Sequence, residues 1–373
     1  MNAHRFDMAI IGGGLVGAAI AYGMRELGAR LVMLDEGDRA LRASRGNFGL
    51  IWVQGKGLGL PSYGGWTQRS AREWPRLADD LRRLTGIDVA LRQPGGVHLC
   101  MSRRELDVRA AKLRALQEQP GFEPYAVEVL DHAALEQRLP ALGPGVAGGT
   151  FCGLDGDCNP LRLLHALHRT LEQSQCRYWP NAIVAGIEPH AGHFELRTGA
   201  GIVLAERIVL AAGLGNARLA PLAGLVAPVR PNKGQILVLE RMQPFLPLPL
   251  ESIRQTDDGT VLIGDSQQDA GADETLDPAV LAAMAARAAA AFPFLRGVRV
   301  NRAWAALRVM TPDTFPVYAQ SRAHPGAFVV TCHSGVTLAA VHAQVLAPAL
   351  RSGALPPECA PFSPERFDVR AAA

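Results

Sequence analysis

"DMAIIGGGLVG", residues 7–17, decides the fold. The apolar run Met8–Ile11 passes straight into a glycine cluster, in which Gly12, Gly14 and Gly17 fall as G-x-G-x-x-G. The following stretch "AAIAYGMRELG" (18–28) carries apolar residues at helical spacing. Next, "ARLVMLDEGD" (29–38) reads as a second strand ending on Asp35, 18 residues past Gly17. Strand, glycine turn, helix, strand and terminal acid together make up the dinucleotide-binding fingerprint. Each part has a physical task. Gly12 permits a tight turn, Gly14 lets a pyrophosphate approach bare backbone, and Gly17 lets helix and strand pack closely. The helix start offers unpaired N–H groups and the positive end of its dipole to phosphates. Asp35 is placed to accept hydrogen bonds from ribose hydroxyls. Glu36, its neighbour, is a second acid at the same site in a more solvated position. The motif by itself fits NAD and FAD alike.

The stretch that follows is unlike a continuing alternation of strands and helices. "RASRGNFGLIWVQGKG" (42–57) holds four glycines, three basic residues and no acid. Arg42, Ser44 and Arg45 can donate to a pyrophosphate. Asn47, Phe48 and Gly49 can bring backbone close to a flat ring. Near the other end of the chain, "TCHSGVTLAAVHA" (331–343) reads as a strand entering a turn and then a helix. Ser334 is the expected N-cap. The N–H groups of Gly335, Val336, Thr337 and Leu338 would then be free to face negative charge. His333, just before this turn, is a candidate to line a pocket or tune a cofactor.

These segments resemble the FAD-dependent amino-acid oxidase (DAO) family, which includes glycine, sarcosine and D-amino-acid oxidases and dehydrogenases. Three further stretches carry the resemblance. "NAIVAGIE" (181–188) is similar to the strand whose backbone meets adenine, which points to Val184. "IVLAAGLGNARLA" (208–220) is similar to the segment returning to the cofactor, with Ala211, Ala212 and Gly213 beneath it. "RAWAALRVMTPDTFPV" (302–317) is similar to the segment that carries a substrate-facing arginine. The resemblance implies an α/β protein of the glycine/D-amino-acid oxidase fold. Its Rossmann-like FAD-binding domain would comprise residues 1–90, 141–225 and 325–373. A discontinuous antiparallel-sheet substrate domain would comprise 91–140 and 226–324.

It also implies roles. Arg308 would clamp a substrate carboxylate through a guanidinium fork, with Arg254 and Arg230 as rivals. Lys233 would lie near the ring. Trp52, Tyr63 and Trp66 would roof the pocket. Monomeric sarcosine oxidases bond FAD to a cysteine two residues before the position of Arg308. Here that position is Ala306, so non-covalent FAD is expected. Residues 42–57 look most like β subunits of D-hydroxyproline dehydrogenases and opine oxidases. The implied reaction is hydride transfer from the α-carbon of a secondary-amine amino acid, giving an imine; the expected enzyme is the catalytic subunit of a D-hydroxyproline dehydrogenase, with an opine oxidase subunit as an alternative. The implied partners are other subunits, one of them carrying an iron–sulfur centre. A stand-alone glycine- or sarcosine-type oxidase is another alternative. A FAD-binding structural subunit without turnover is a reading of another class.

Composition sets the outer limits. In 373 residues, 48% hydrophobic and 20% charged, a sizeable core is expected. A net charge of +3 gives no footprint for nucleic acid. No apolar run reaches the roughly 18 residues of a membrane span. The N-terminus runs directly into a strand, so no signal peptide is expected. The six cysteines form no CxxC pair, and a metal site is not expected. Reduced thiols in the cytoplasm follow from these two readings. "DPAVLAAMAARAAAAFPFL" (277–295) and "CNPLRLLHALHRTLEQ" (158–173) read as capped helices, with Asp277 and Asn159 as caps before proline. "DDG" (257–259) marks a hairpin turn, and the tail "APFSPERFDVRAAA" (360–373) is expected to be ordered only in part.

Overall fold

The computed structural model describes residues 3–37, 42–264 and 266–367; Asp38 and the last residues of the tail lie outside them. Met8–Ile11 lies within the strand His4–Ile11, which runs parallel to Leu31–Leu34 on one side and to Gly201–Leu210 on the other. Arg177–Trp179 extends the sheet beyond Leu31–Leu34, and Ala327–Thr331 extends it beyond Gly201–Leu210. All these pairings are parallel. The outer strand Val317–Gln320 is antiparallel, as is the hairpin Val184–His190 and His193–Thr198 that joins the start of Gly201–Leu210. The central strands are continuous apolar runs because both faces are covered. Met8 and Ile10 face a core containing Trp74, Leu167 and Leu346, whereas Ala9 and Ile11 face one containing Leu196, Leu219 and Val329.

A second pair of sheets stands beside the first. Four antiparallel strands run in the order Ile253–Gln255, Thr260–Ile263, Arg230–Arg241, Val300–Met310. The turn at 257–259 closes the hairpin there, with Gly259 at φ 86°. Three antiparallel strands run Gly96–Cys100, Gly148–Cys152, Glu128–Asp131. A shared core of Val97, Leu237, Ile253 and Phe292 joins the two sheets. This pairing corrects the expected partition at one point. Residues 148–152, expected within the FAD-binding domain, form the middle strand of the three-stranded sheet. Alternation marks a short strand without saying which sheet it enters.

Two helices start where the sequence places them. Asn159 accepts hydrogen bonds from Leu161 N and Arg162 N, and Asp277 from Ala279 N and Val280 N. The C-terminal helix differs from expectation. Gly335–Leu338 is a turn, Ala339–Val341 is α-helical, His342–Leu346 is a π segment, and Ala347–Ser352 resumes α-helix. No helix among the described residues is long and apolar enough to cross a membrane.

Candidate functional site

The glycine turn sits at the carboxyl ends of the parallel strands, between His4–Ile11 and the helix Leu15–Met24. Gly12 has φ 111°, and a Cβ there would meet the carbonyl oxygen of Ala211 at 2.4 Å. Gly17 does not line the cleft. A Cβ on it would lie 1.9 Å from Gly12 O, so its role is the close packing of helix on turn. Asp35 holds the turn directly: its carboxylate accepts from Gly13 N at 2.6 Å and from Gly37 N at 2.8 Å. Ser44 Oγ accepts from Leu15 N at 2.9 Å, and among the described residues the N–H of Gly14 has no acceptor. Glu36 is ion-paired with Arg42.

Two adjoining cavities open from this point. The first, about 300 Å³, is lined by Gly12, Gly14, Asp35, Glu36, Arg42 and Ser44 from the N-terminal segments. Val184, Ala212, Gly213 and Gly335 line it from the rest of the chain. The second, about 630 Å³, is lined by Phe48, Trp52, Tyr63, Ala306, Arg308, Ser334, Val336 and Thr337. Ala43, Asn47, Leu307 and His333 line both and so mark the junction. An FAD fits this arrangement on three observations. Bare backbone at Gly14 faces the first cavity beside a free N–H, the carboxylate of Asp35 lines the same cavity, and uncapped N–H groups at Gly335–Thr337 border both cavities.

Several expected residues lie elsewhere. Lys233 is buried, and its ammonium is fixed by Asp273 (2.7 Å) and the carbonyl of Thr275 (3.1 Å), away from both cavities. The reason is strand parity: Asn232 and Gly234 project toward Arg308, so the residue between them faces the other way. Leu338 is fully buried, and its N–H is used by Ser334 O at 3.0 Å. Gly49 packs against Cys158 and Arg254 rather than lining a cavity, and Arg45 belongs to the turn that closes onto Arg42 O. Trp66 is a core residue bonded to Tyr318 OH. Arg254 is taken up by Asp157 and Cys158 O, and Arg230 by Asp269.

Arg308 does line the second cavity. It donates to Ser266 O at 2.7 Å and Asn232 Oδ1 at 3.3 Å. Its guanidinium lies against Gly234, where a Cβ would come within 2.5 Å of Nη1. Asp313 is engaged by Arg366 at 2.7 and 3.0 Å.

Ser334 is not the helix cap. Its hydroxyl accepts from Tyr63 OH at 2.9 Å and from Lys56 Nζ at 3.0 Å, leaving its own proton for His333 Nε2 at 3.2 Å. Burial, with the positive charges of Lys56 and Arg308, holds His333 well below the ordinary histidine range, so the ring is neutral. Thr337 ties the same turn to residues 50–52: its hydroxyl accepts from Trp52 N and donates to Leu50 O. Sequence reading missed Lys56, Gly234 and Arg109. For Lys56 a signal existed, a cation set between Gly55 and Gly57 in the acid-free stretch. Among the described residues no cluster of three or more His, Cys, Asp or Glu is placed to hold a metal, and all six cysteines are buried thiols.

Comparison with known proteins agrees with this geometry. The profile of the DAO family, FAD dependent oxidoreductase, matches residues 7–349. An opine oxidase subunit of Agrobacterium tumefaciens (strain Ach5) is 44% identical over 369 residues, covering 99% of this chain and 100% of that one. Glycine oxidase of Pseudomonas putida is 26% identical over 370 residues, covering 96% and 98%. The crystal structure of glycine oxidase from Geobacillus kaustophilus superposes with a TM-score of 0.89 at 25% identity, covering 97% and 98%.

Proposed function

Because the chain belongs to the DAO family of FAD-dependent oxidoreductases, we propose that it oxidises the CH–NH bond of a secondary-amine amino acid to an imine. The observation that carries this reading is Arg308, a fixed guanidinium in the cavity that meets the nucleotide cleft at His333. When bound, FAD supplies the acceptor for the substrate's hydride. The chain's own residues bind, orient and set protonation. A guanidinium fork fixes both distance and angle of a carboxylate, and positioning of this kind contributes much of such a rate. The reacting amine must be unprotonated. Lys56 and Arg308 disfavour a third positive charge nearby, which lowers the pKa of a bound ammonium. Neutral His333, held through Ser334, adds no charge of its own.

In this reading Gly12, Gly14, Asp35, Arg42 and Ser44 hold the pyrophosphate and ribose of a non-covalent FAD, and Val184 meets its adenine. Asn47 and the turn Gly335–Thr337 border the ring. A nucleotide-binding unit and a substrate-binding unit follow the two sets of sheets. The opine oxidase relatives are named as subunits, which supports a partner chain as the route by which electrons leave. An iron–sulfur centre in that partner belongs to the same proposal, as does a cytoplasmic location.

The test is an anaerobic titration of the flavin-loaded chain, following loss of flavin absorbance. Substrates are D- and L-proline, the 4-hydroxyproline isomers, opines, sarcosine and glycine. The expected result is bleaching by cis-4-hydroxy-D-proline or by an opine, both secondary amines, and little by glycine. Preferential bleaching by glycine or sarcosine, with peroxide formed in air by the chain alone, would favour the oxidase alternative. No bleaching by any amine would reduce the chain to a structural flavin carrier.

A further inference from the structure

A second guanidinium lines the larger cavity from a different wall. Arg109 lies on the helix Arg103–Glu118, which packs on the three-stranded sheet, whereas Arg308 lies on the strand Val300–Met310 of the four-stranded one. Arg109 is held from behind. Its Nη2 donates to Gln54 Oε1 at 3.0 Å and its Nε to Thr150 Oγ1 at 3.3 Å. Thr150 also donates to Gln54 Oε1, at 2.7 Å. The Gln54 amide cannot turn over, because its NH₂ group is committed to Asp155 Oδ2 at 2.7 Å and Gly96 O at 3.2 Å. Asp155 is fully buried and anchored by Val53 N and Gln54 N. Gln54 and Thr150 are likewise buried. Nη1 lies against Gly55, where a Cβ would come within 2.9 Å of it, and Gly55 itself lines the cavity. Among the described residues Nη1 has no acceptor.

Two buried side chains, Gln54 and Thr150, thus fix a guanidinium that lines the cavity. Lys112, one turn further along the helix, lines the same wall. The acid on this side, Glu251, is engaged by His98 at 2.6 Å.

We propose that Arg109 is a second carboxylate clamp, which selects, among the substrates named above, an opine, whose amino-acid nitrogen carries a second, carboxylate-bearing chain, over the monocarboxylate hydroxyproline. This rests on the amine-oxidation reading above. Arg308 holds the carboxylate beside the reacting carbon, and Arg109 holds the one on the N-substituent. Gln54 and Asp155 are positioning residues for Arg109.

Two readouts separate the parts. In calorimetry on the flavin-loaded chain, glutarate should bind about tenfold or more tighter than butyrate, as expected for a charge-assisted hydrogen-bonded contact. Arg109→Met should bring the two acids within about threefold by weakening glutarate alone. Arg109→Lys, which keeps the charge and loses the fork, should fall between, and both variants should retain wild-type flavin content. Equal affinity for the two acids in the wild type, or equal loss of both in Arg109→Met, would overturn the clamp. In the anaerobic assay, N-(carboxymethyl)alanine is compared with N-methylalanine. If N-methylalanine bleaches the flavin and neither dicarboxylate is preferred, the clamp fails and amine oxidation stands. If glutarate shows its Arg109-dependent preference and neither amine bleaches, amine oxidation fails and the clamp stands.

Discussion

A guanidinium can lie flat on a strand only where the strand offers it no side chain, and Gly234 gives Arg308 that space. The two residues should therefore behave alike in binding and differently in charge. Arg308→Met should raise the apparent dissociation constant for a carboxylate substrate by about tenfold or more, since each tenfold is about 1.4 kcal/mol. Turnover should fall as well, with flavin content unchanged. Gly234→Ala should give a similar loss with little change in melting temperature, because the atoms nearest the new methyl are those of the Arg308 guanidinium rather than backbone. Near-normal kinetics in both variants would remove Arg308 from substrate binding. Asp35 belongs to the same scale. Its carboxylate braces Gly13 and Gly37, so Asp35→Ala should weaken FAD by about 1.5–3 kcal/mol, the range for hydrogen bonds to a charged group. Equilibrium titration of the apoprotein with FAD measures it.

At the level of elements, the glycine turn divides its work between packing and access. Gly17→Ala sets a Cβ against the backbone of Gly12, and overpacking of this kind costs about 1–3 kcal/mol or more. It should lower the melting temperature with and without flavin. A Cβ at Gly14 meets only the Ser44 side chain within the protein, so the main effect of Gly14→Val should be colourless chain that still folds. A yellow, fully loaded Gly14→Val protein would show that no pyrophosphate passes there. The C-terminal helix carries a pH consequence. His342 is fully buried in the π segment, with Nε2 2.6 Å from Tyr318 OH, and burial pushes its pKa down to about 3. The unfolded chain takes up a proton near the ordinary 6.5 and the folded chain does not. Stability from this site is therefore complete above pH 6.5 and declines by about 1.4 kcal/mol per pH unit as the pH falls toward 3. His342→Gln keeps a partner for Tyr318 and should make the acid limb of a denaturant-midpoint profile shallower by one proton. An unchanged slope would show that His342 titrates normally.

On the scale of the whole molecule, the cofactor cleft is assembled from segments near residues 12, 44, 184, 212 and 333. A ligand seated there ties together parts of the chain that are far apart in sequence. Removing FAD should lower the melting temperature, and restoring it at about a hundred times its dissociation constant should return about 2.7 kcal/mol. With Ala306 in the second cavity and every cysteine buried, the flavin should leave intact when the protein is precipitated with acid. Flavin retained in the pellet would demonstrate a covalent link. The dicarboxylate clamp is also a property of this scale, since Arg109 and Arg308 come from different sheets' layers and meet only in one cavity.

Local patterns in the sequence were enough for the first strand, the glycine turn, the helix and Asp35, because each follows from short-range rules of sterics and periodicity. The caps Asn159 and Asp277 and the turn at Gly259 were legible for the same reason. Tertiary structure decided what those rules do not reach. Lys233 faces away from the cavity because the parity of its strand is set by pairing with Val300–Met310. Ser334 gives its hydroxyl to Lys56 and Tyr63, residues about 270 positions away, in preference to capping its own helix. Gly148–Cys152 joins the sheet that offers its hydrogen-bonding edges on both sides. Arg109 becomes a site residue only through Gln54, Thr150 and Asp155, none of which is its neighbour in sequence. Short-range chemistry determined which elements form, and the burial of charge and the closing of sheets determined which side chains look into the cavity.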